Sequence, residues 1–163
     1  ITVVTASKEF IYNGDKQYCE EYTIAGEHGI VAWHYAVVTS ATKVKNVADS
    51  GAENKLVIEI YSGEENVTAN YRIAYEYGML IVKQRKITVT TASDEKIYDG
   101  TPLTNAKFGS EVQENGGLVA GHILNVTVIA TITDVGSALN IADESLTAIT
   151  DKSGNDVMFK SFA

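Results

Sequence analysis

Cysteine occurs once, at Cys19, and proline once, at Pro102. One cysteine excludes an internal disulfide and a zinc-holding thiolate cluster. Cys19 reads either as a small, partly buried apolar residue or as a neutral surface one. Basic residues are also scarce. Thirteen Lys and Arg face 21 Asp and Glu, for a net charge of −8. That balance argues against nucleic acid, which is bound by a basic face, and against an anionic membrane surface. No apolar run approaches the roughly 18 residues that a membrane span needs, so no membrane insertion is expected.

Motifs of catalysis are missing too. The chain has no glycine-rich phosphate loop, no nucleophile elbow and no His-Glu zinc motif. Glu20-Glu21 and Glu64-Glu65 are carboxylate neighbours in sequence, whereas acid–base pairs work across a cleft at a set separation. They read as solvated faces. No catalytic residue and no cofactor is assigned.

What the chain does have is a repeat. Ile1–Gly14 reads ITVVTASKEFIYNG and Ile87–Gly100 reads ITVTTASDEKIYDG; 10 of 14 positions are identical at an offset of 86. Gly29–His34 then matches Gly117–His122, and Val38-Thr39 matches Val126-Thr127, at an offset of 88. Val44 and Val47 fall on Ile132 and Val135. A repeat of this kind sizes the domain. It predicts two modules, 1–84 and 85–163, joined at the charged stretch Lys83-Gln84-Arg85-Lys86. The first copy closes on Tyr77-Gly78-Met79-Leu80-Ile81-Val82. The second reaches Ala163 before any counterpart of that segment, so it is expected to lack its final strand.

Helix signals are sparse, and Val, Ile, Thr and Tyr are abundant, which favours strands. Strands are expected at 1–5, 9–12, 18–24, 33–44 (broken near Ser40), 56–61, 71–77 and 79–83. The second copy gives 87–91, 96–98, 108–112, 123–133 and 145–149. A brief helix is conceivable at 27–33 or 46–53. Asn13-Gly14 and Asp99-Gly100 read as turns, where Gly supplies positive φ. Short strands between such turns predict an all-β chain of two tandem modules, either small Ig-like β-sandwiches or β-grasp-like folds. Tyr12 and Tyr98, beside the two turns, are expected to be largely buried. So are Val3, Val89, Ile58, Ile60 and either Phe10 or Ile11.

The stretch from Thr88 to Asn105, with Lys-Ile-Tyr-Asp-Gly-Thr-Pro-Leu-Thr-Asn at its end, resembles the Tyr-Asp-Gly (YDG or MBG-type) repeats of bacterial adhesin-like surface proteins. Gly117–His122, Thr133–Ser137, and Asn70-Tyr71 with Tyr77-Gly78 are similar to the same family. The resemblance is looser in the first copy, which has Asn13 for the motif's Asp and no Thr-Pro-Leu after the turn. It implies an extracellular, mostly-β tandem module at a cell surface, anchored through other parts of a parent protein. The partners it implies are neighbouring repeats of the same chain. It implies no catalytic residues.

Two functions follow as expectations. One is a spacer or stalk without a ligand site. The other is an adhesion module for a host or environmental glycan or protein, for which Trp33 and Tyr35 are the candidate contacts. Trp33 falls on Gly121 in the second copy, and core packing is its simpler role. Asp151, Ser153 and Asn155 stand at alternate positions, as in calcium loops. Lys152 intrudes there, and no bidentate glutamate follows. A solvated turn is the plainer reading. His34 and His122 occupy one slot in both copies and read as structural residues.

Overall fold

The computed structural model describes residues 1–111 and 116–158, without the side chain of Glu111. Val112, the end of the strand expected at 108–112, and Phe159–Ala163, the end of the expected second module, lie outside the described residues. The chain divides into two compact units, Ile1–Gln84 and Arg85–Ala163. The described residues are all-β, in several small sheets with no α-helix.

Unit 1 contains β1 (Thr2–Thr5), β2 (Lys8–Ile11), β3 (Tyr22–Ala25), β4 (His34–Ala41), β5 (Ala52–Glu53), β6 (Leu56–Ser62), β7 (Glu65–Asn66), β8 (Ala74–Glu76) and β9 (Met79–Lys83). The sheets run β3-β1-β8, β2-β9-β5 and β4-β6-β7. Alternation in β6 places Leu56, Ile58 and Ile60 on the buried face, as period-2 patterning requires. The register of β4 on β6 slips between Val38 and Ser40, where the break was expected. In place of a helix at 46–53 there is only a 3₁₀ turn, Val47–Asp49.

The first and last strands of unit 1 run side by side. β1 pairs in parallel with β8, and β2 in parallel with β9. The two pairs meet at a tight crossing. Thr5 Oγ1 donates to Asn54 O, and Gly78 N–H donates to Thr5 Oγ1. Asn54 Nδ2 donates to Ala6 O, Asn54 N–H to Gly78 O, and Met79 N–H to Ser7 Oγ. A Cβ on Gly78 would lie 2.5 Å from Ala6 O and from Ser7 N, so only glycine passes here. Beyond the crossing, β9 inserts Leu80 and Val82, at 0% and 2% exposure, into a cluster with Cys19 and Val44. Ala6, Phe10, Tyr12, Val47 and Ala52 pack around it. Burying side chains of that size stabilises by about 1.5–3 kcal/mol each.

Unit 2 contains β10 (Thr88–Thr91), β11 (Phe108–Glu111), β12 (Ile123–Val128) and β13 (Ala142–Thr150), in the pairs β10-β11 and β12-β13. Several of its bonds match bonds of unit 1. Gln17 bridges Val44, and Leu103 bridges Ile132. His34 N–H donates to Val31 O, and His122 N–H to Val119 O, both at 3.0 Å. Thr91 Oγ1 donates to Asn140 O and Asn140 Nδ2 to Ala92 O, as Thr5 and Asn54 do at the crossing.

Four expectations need correction. Residues 96–98 form no strand, and Tyr98 is 60% exposed. A strand needs a neighbour: β2 has β9, whereas no described strand pairs with 93–98. The element expected at 123–133 ends at Val128, leaving only the bridge at Ile132. The strand expected at 18–24 begins at Tyr22, because Cys19 leaves the sheet to enter the core.

Candidate functional site

The most aromatic face belongs to unit 1. Alternation along β4 and β6 sends Ala36, Val38, Ile58 and Ile60 inward and leaves Tyr35, Val37, Glu59 and Tyr61 on the outer face. Tyr35 and Tyr61 are cross-strand partners with stacked rings, 5.9 Å between centroids and 22° between planes. Each hydroxyl is tied down. Tyr35 donates to Gly63 O at 2.8 Å and Tyr61 to Glu59 Oε2 at 2.6 Å. Asn66 Nδ2 donates to the same carboxylate oxygen at 3.2 Å. The Glu59 carboxylate, above all through this hydrogen bond, pushes the Tyr61 hydroxyl up from its ordinary pKa.

Trp33 precedes this face, and packing in the core is not its role: it is 87% exposed. It is also the one non-glycine with positive φ, 61°, among the described residues. Its counterpart Gly121 has φ 80°. The slot is left-handed in both units, and a side chain there costs roughly 1–2 kcal/mol. His34 is held beneath by Tyr71, with Nδ1 2.6 Å from the hydroxyl. Val31 N–H donates to the same hydroxyl oxygen at 3.2 Å. The repeat shows the histidine slot; the tyrosine that orients it, 37 residues away, carries no local signal.

Asp151, Ser153 and Asn155 come together as one closed loop. Asp151 Oδ1 accepts from the backbone N–H of Ser153 and of Asn155, at 2.8 and 2.9 Å. Asn155 Nδ2 reaches both carboxylate oxygens. These bonds, first those from Asn155, hold the Asp151 carboxyl below the usual carboxylate range. The carboxylate is thus engaged by its own loop. Among the described residues, no group of three or more His, Cys, Asp or Glu could hold a metal ion.

Unit 2 holds a feature the sequence does not announce, an open groove of about 650 Å³ between 91–105 and 130–140. Its walls include Ala92, Lys96, Tyr98, Ile132, Val135 and Ala138. These are the positions matched to Ala6, Phe10, Tyr12, Val44, Val47 and Ala52, the residues around Leu80 and Val82 in unit 1.

The class defined so far is an all-β chain of two compact units with several matching bonds. No protein-family model, no curated protein and no solved structure matches the chain.

Proposed function

We propose that this chain is a non-catalytic, extracellular repeat segment acting as a spacer or stalk of a bacterial surface protein, its partners being neighbouring modules. The observation that carries the reading is the parallel pairing of the first and last strands of unit 1. In a parallel pair the incoming and outgoing chains leave from opposite ends. Tension between them shears β1 against β8 and β2 against β9, loading their hydrogen bonds together instead of one at a time. That suits a module that must stay folded while it bears load. An Ig-like sandwich fits better than a β-grasp, which packs a helix on its sheet. What the two copies share also fits a spacer: turn and crossing residues recur, whereas Trp33 and Tyr35 fall on Gly121 and Ile123. Pulling single molecules by their ends tests the reading. Unit 1 is expected to unfold in one high-force step when pulled from its termini, and at much lower force when pulled across β4 and β6. Equal forces in both geometries would overturn it.

A second reading, adhesion to a glycan or protein, draws on the exposed, backbone-strained Trp33 and on the Tyr35–Tyr61 stack beside Glu59 and Asn66. Strain retained at an exposed aromatic is a reason to look for a contact, and sugar faces stack on such rings. Saturable binding on a glycan array that Tyr35→Ala abolishes would establish it over the spacer. The spacer reading expects background signal for both proteins.

A further inference from the structure

We propose that Asn13 is a site of spontaneous deamidation, where water turns the Tyr-Asn-Gly of unit 1 into the Tyr-Asp-Gly that unit 2 already carries, or into its isoaspartyl isomer. The two turns share their geometry. Asp15 N–H donates to Asn13 Oδ1 at 2.9 Å, and Thr101 N–H donates to Asp99 Oδ1 at 2.9 Å. Gly14 has φ 85° and Gly100 has φ 79°. Unit 2 thus shows the same turn closed around a carboxylate, so the acid is a product that the framework accepts.

The Asn13 turn is set up for the reaction. Gly14 has no Cβ beside its nitrogen, which leaves that nitrogen free to approach Asn13 Cγ. Among the described residues, neither Gly14 N–H nor Asn13 Nδ2 is held in a hydrogen bond. Asp15 N–H is bonded to Oδ1, where negative charge builds as the nitrogen adds to Cγ. Asn13 is exposed, so water reaches it. Hydroxide takes the Gly14 amide proton, the nitrogen bonds to Cγ, and the Cγ–Nδ2 bond breaks. Nδ2 takes a proton from water and leaves as ammonia, which regenerates the hydroxide. One water then opens the cyclic imide. Breaking the bond from nitrogen to Cγ gives aspartate. Breaking the bond from nitrogen to the main-chain carbonyl carbon of Asn13 gives isoaspartate. Nothing is oxidised or reduced.

The site is selective. Every other Asn among the described residues is followed by a residue with a side chain. Asn155 also has its Nδ2 bonded to the Asp151 carboxylate. Asn115-Gly116 is the same dipeptide, but Asn115 lies outside the described residues. Unit 1 receives a carboxylate less well than unit 2 does. Asp99 Oδ1 has the Lys96 ammonium at 2.7 Å and the Thr101 hydroxyl at 2.7 Å, whereas the matched positions hold Phe10 and Asp15. Isoaspartate adds a methylene to the main chain as well. It does so between two anchors, Tyr12 N–H on Lys83 O and Gln17 N–H on Val44 O, so the turn between them slackens. The chemistry needs only the turn and water, and it stands apart from the spacer reading.

The experiment incubates the whole folded chain, 1–163, in mildly alkaline buffer made with heavy-oxygen water. Trypsin in ordinary water then cuts after Lys8 and Lys16, and residues 9–16 come off as one peptide in which Asn13 is the sole side-chain amide. Mass spectrometry should show first-order conversion of amide to acid, with one heavy oxygen taken up. Chromatography should resolve two isomers, isoaspartate the more abundant. Gly14→Ala should slow the conversion at least about tenfold, because its methyl group crowds the attacking nitrogen whether or not the turn keeps its shape. Asn13→Asp, the encoded product, should fold with amide shifts confined to residues 8–17. Three results would each overturn the proposal. These are an Asn13 amide that persists in the folded chain, with conversion only in denaturant or not at all; equal rates in Gly14→Ala and the parent; and an Asn13→Asp chain in which unit 1 no longer folds.

Discussion

Tyr12 and Tyr98 occupy the same place in the same local sequence, Ile-Tyr-Asn-Gly in one unit and Ile-Tyr-Asp-Gly in the other. Tyr12 is half-buried against the Leu80–Val82 cluster, and its backbone N–H donates to Lys83 O. Tyr98 faces solvent. The neighbouring strand follows the same division: 8–11 is β2, while 94–97 is irregular. The difference comes from β9, about 70 residues further along the chain of unit 1. Strand formation in this framework is thus conditional on a partner. Local propensity is nearly identical in the two stretches, and the tertiary neighbour decides.

The comparison breaks most forcefully at β9. Leu80→Ala leaves a cavity in the centre of the cluster and is expected to destabilise unit 1 by about 2–5 kcal/mol. Gly78→Val drives a side chain into the Ala6–Ser7 backbone and should cost on the order of 3 kcal/mol. Hydrogen exchange resolved by residue is the check. Residues 8–12 of unit 1 should lose protection and come to resemble 94–98, while β10 to β13 keep theirs. Retained protection at 8–12 in Leu80→Ala would mean that β2 does not depend on β9.

The tyrosines themselves give a smaller contrast. Tyr12→Ala should cost about 2 kcal/mol, below the 3–5 kcal/mol of a fully buried aromatic. Tyr98→Ala should stay within about 0.5 kcal/mol, as exposed substitutions do. Denaturant melts of the two variants test this, and equal costs would show that the two tyrosines share one environment after all.

The sequence carried the all-β class, the inward face of β6 and the irregularity in β4, because alternation and turn residues are local signals. Val3, Ile58 and Ile60 are buried as their strands predict. Burial of Tyr98 and a strand at 96–98 were not to be had from the repeat. Identity of 10 in 14 residues reports the framework, and the missing neighbour lies elsewhere. The groove is hidden for the same reason: nothing in 91–105 or 130–140 is unusual until the filled slot of unit 1 is laid beside it. Trp33 was misjudged as core because hydrophobicity says nothing of φ. Its pairing with Gly121 across the repeat was the available clue that the position is left-handed.

That left-handed slot offers a contrast of about 1 kcal/mol. Trp33→Gly relieves the cost of a side chain at positive φ and removes no buried contact, so unit 1 should gain roughly 1 kcal/mol. The converse, Gly121→Trp, introduces the same strain, and its Cβ meets the flexible Lys152 side chain. It should destabilise unit 2 by at least as much. Thermal melts of the two variants should shift in opposite directions. A loss of stability in Trp33→Gly would reveal a packing role for the indole.

Acid separates the units by the smallest margin. In unit 1, Asp49 Oδ2 accepts from the backbone N–H of Asn46 and of Lys45, both at 2.8 Å. These bonds, the one from Asn46 foremost, hold its carboxyl below the ordinary 3.8. Between the matched pairs Val47–Val135 and Asn54–Asn140, unit 2 is two residues shorter and carries no Asp or Glu. A carboxyl whose folded pKa is depressed binds a proton more readily when unfolded. Its contribution is complete above about pH 4 and is lost as pH falls through the folded value. The 3₁₀ turn Val47–Asp49 is capped by Ser50, whose Oγ donates to Val82 O, so loosening it reaches β9. Asp49→Asn keeps the shape and removes the titration. Between about pH 4 and 2 the stability of unit 1 should then fall less steeply than in the parent, with unit 2 unchanged. Unit 2 has depressed carboxyls of its own at Asp99, Asp143 and Asp151, the last held by Asn155 and by the backbone of its loop. Asp151→Asn should make the acid response of unit 2 less steep, with Asp99 and Asp143 still titrating, and leave unit 1 unchanged. If either substitution alters the slope of the other unit, acid lability is not set by these local caps.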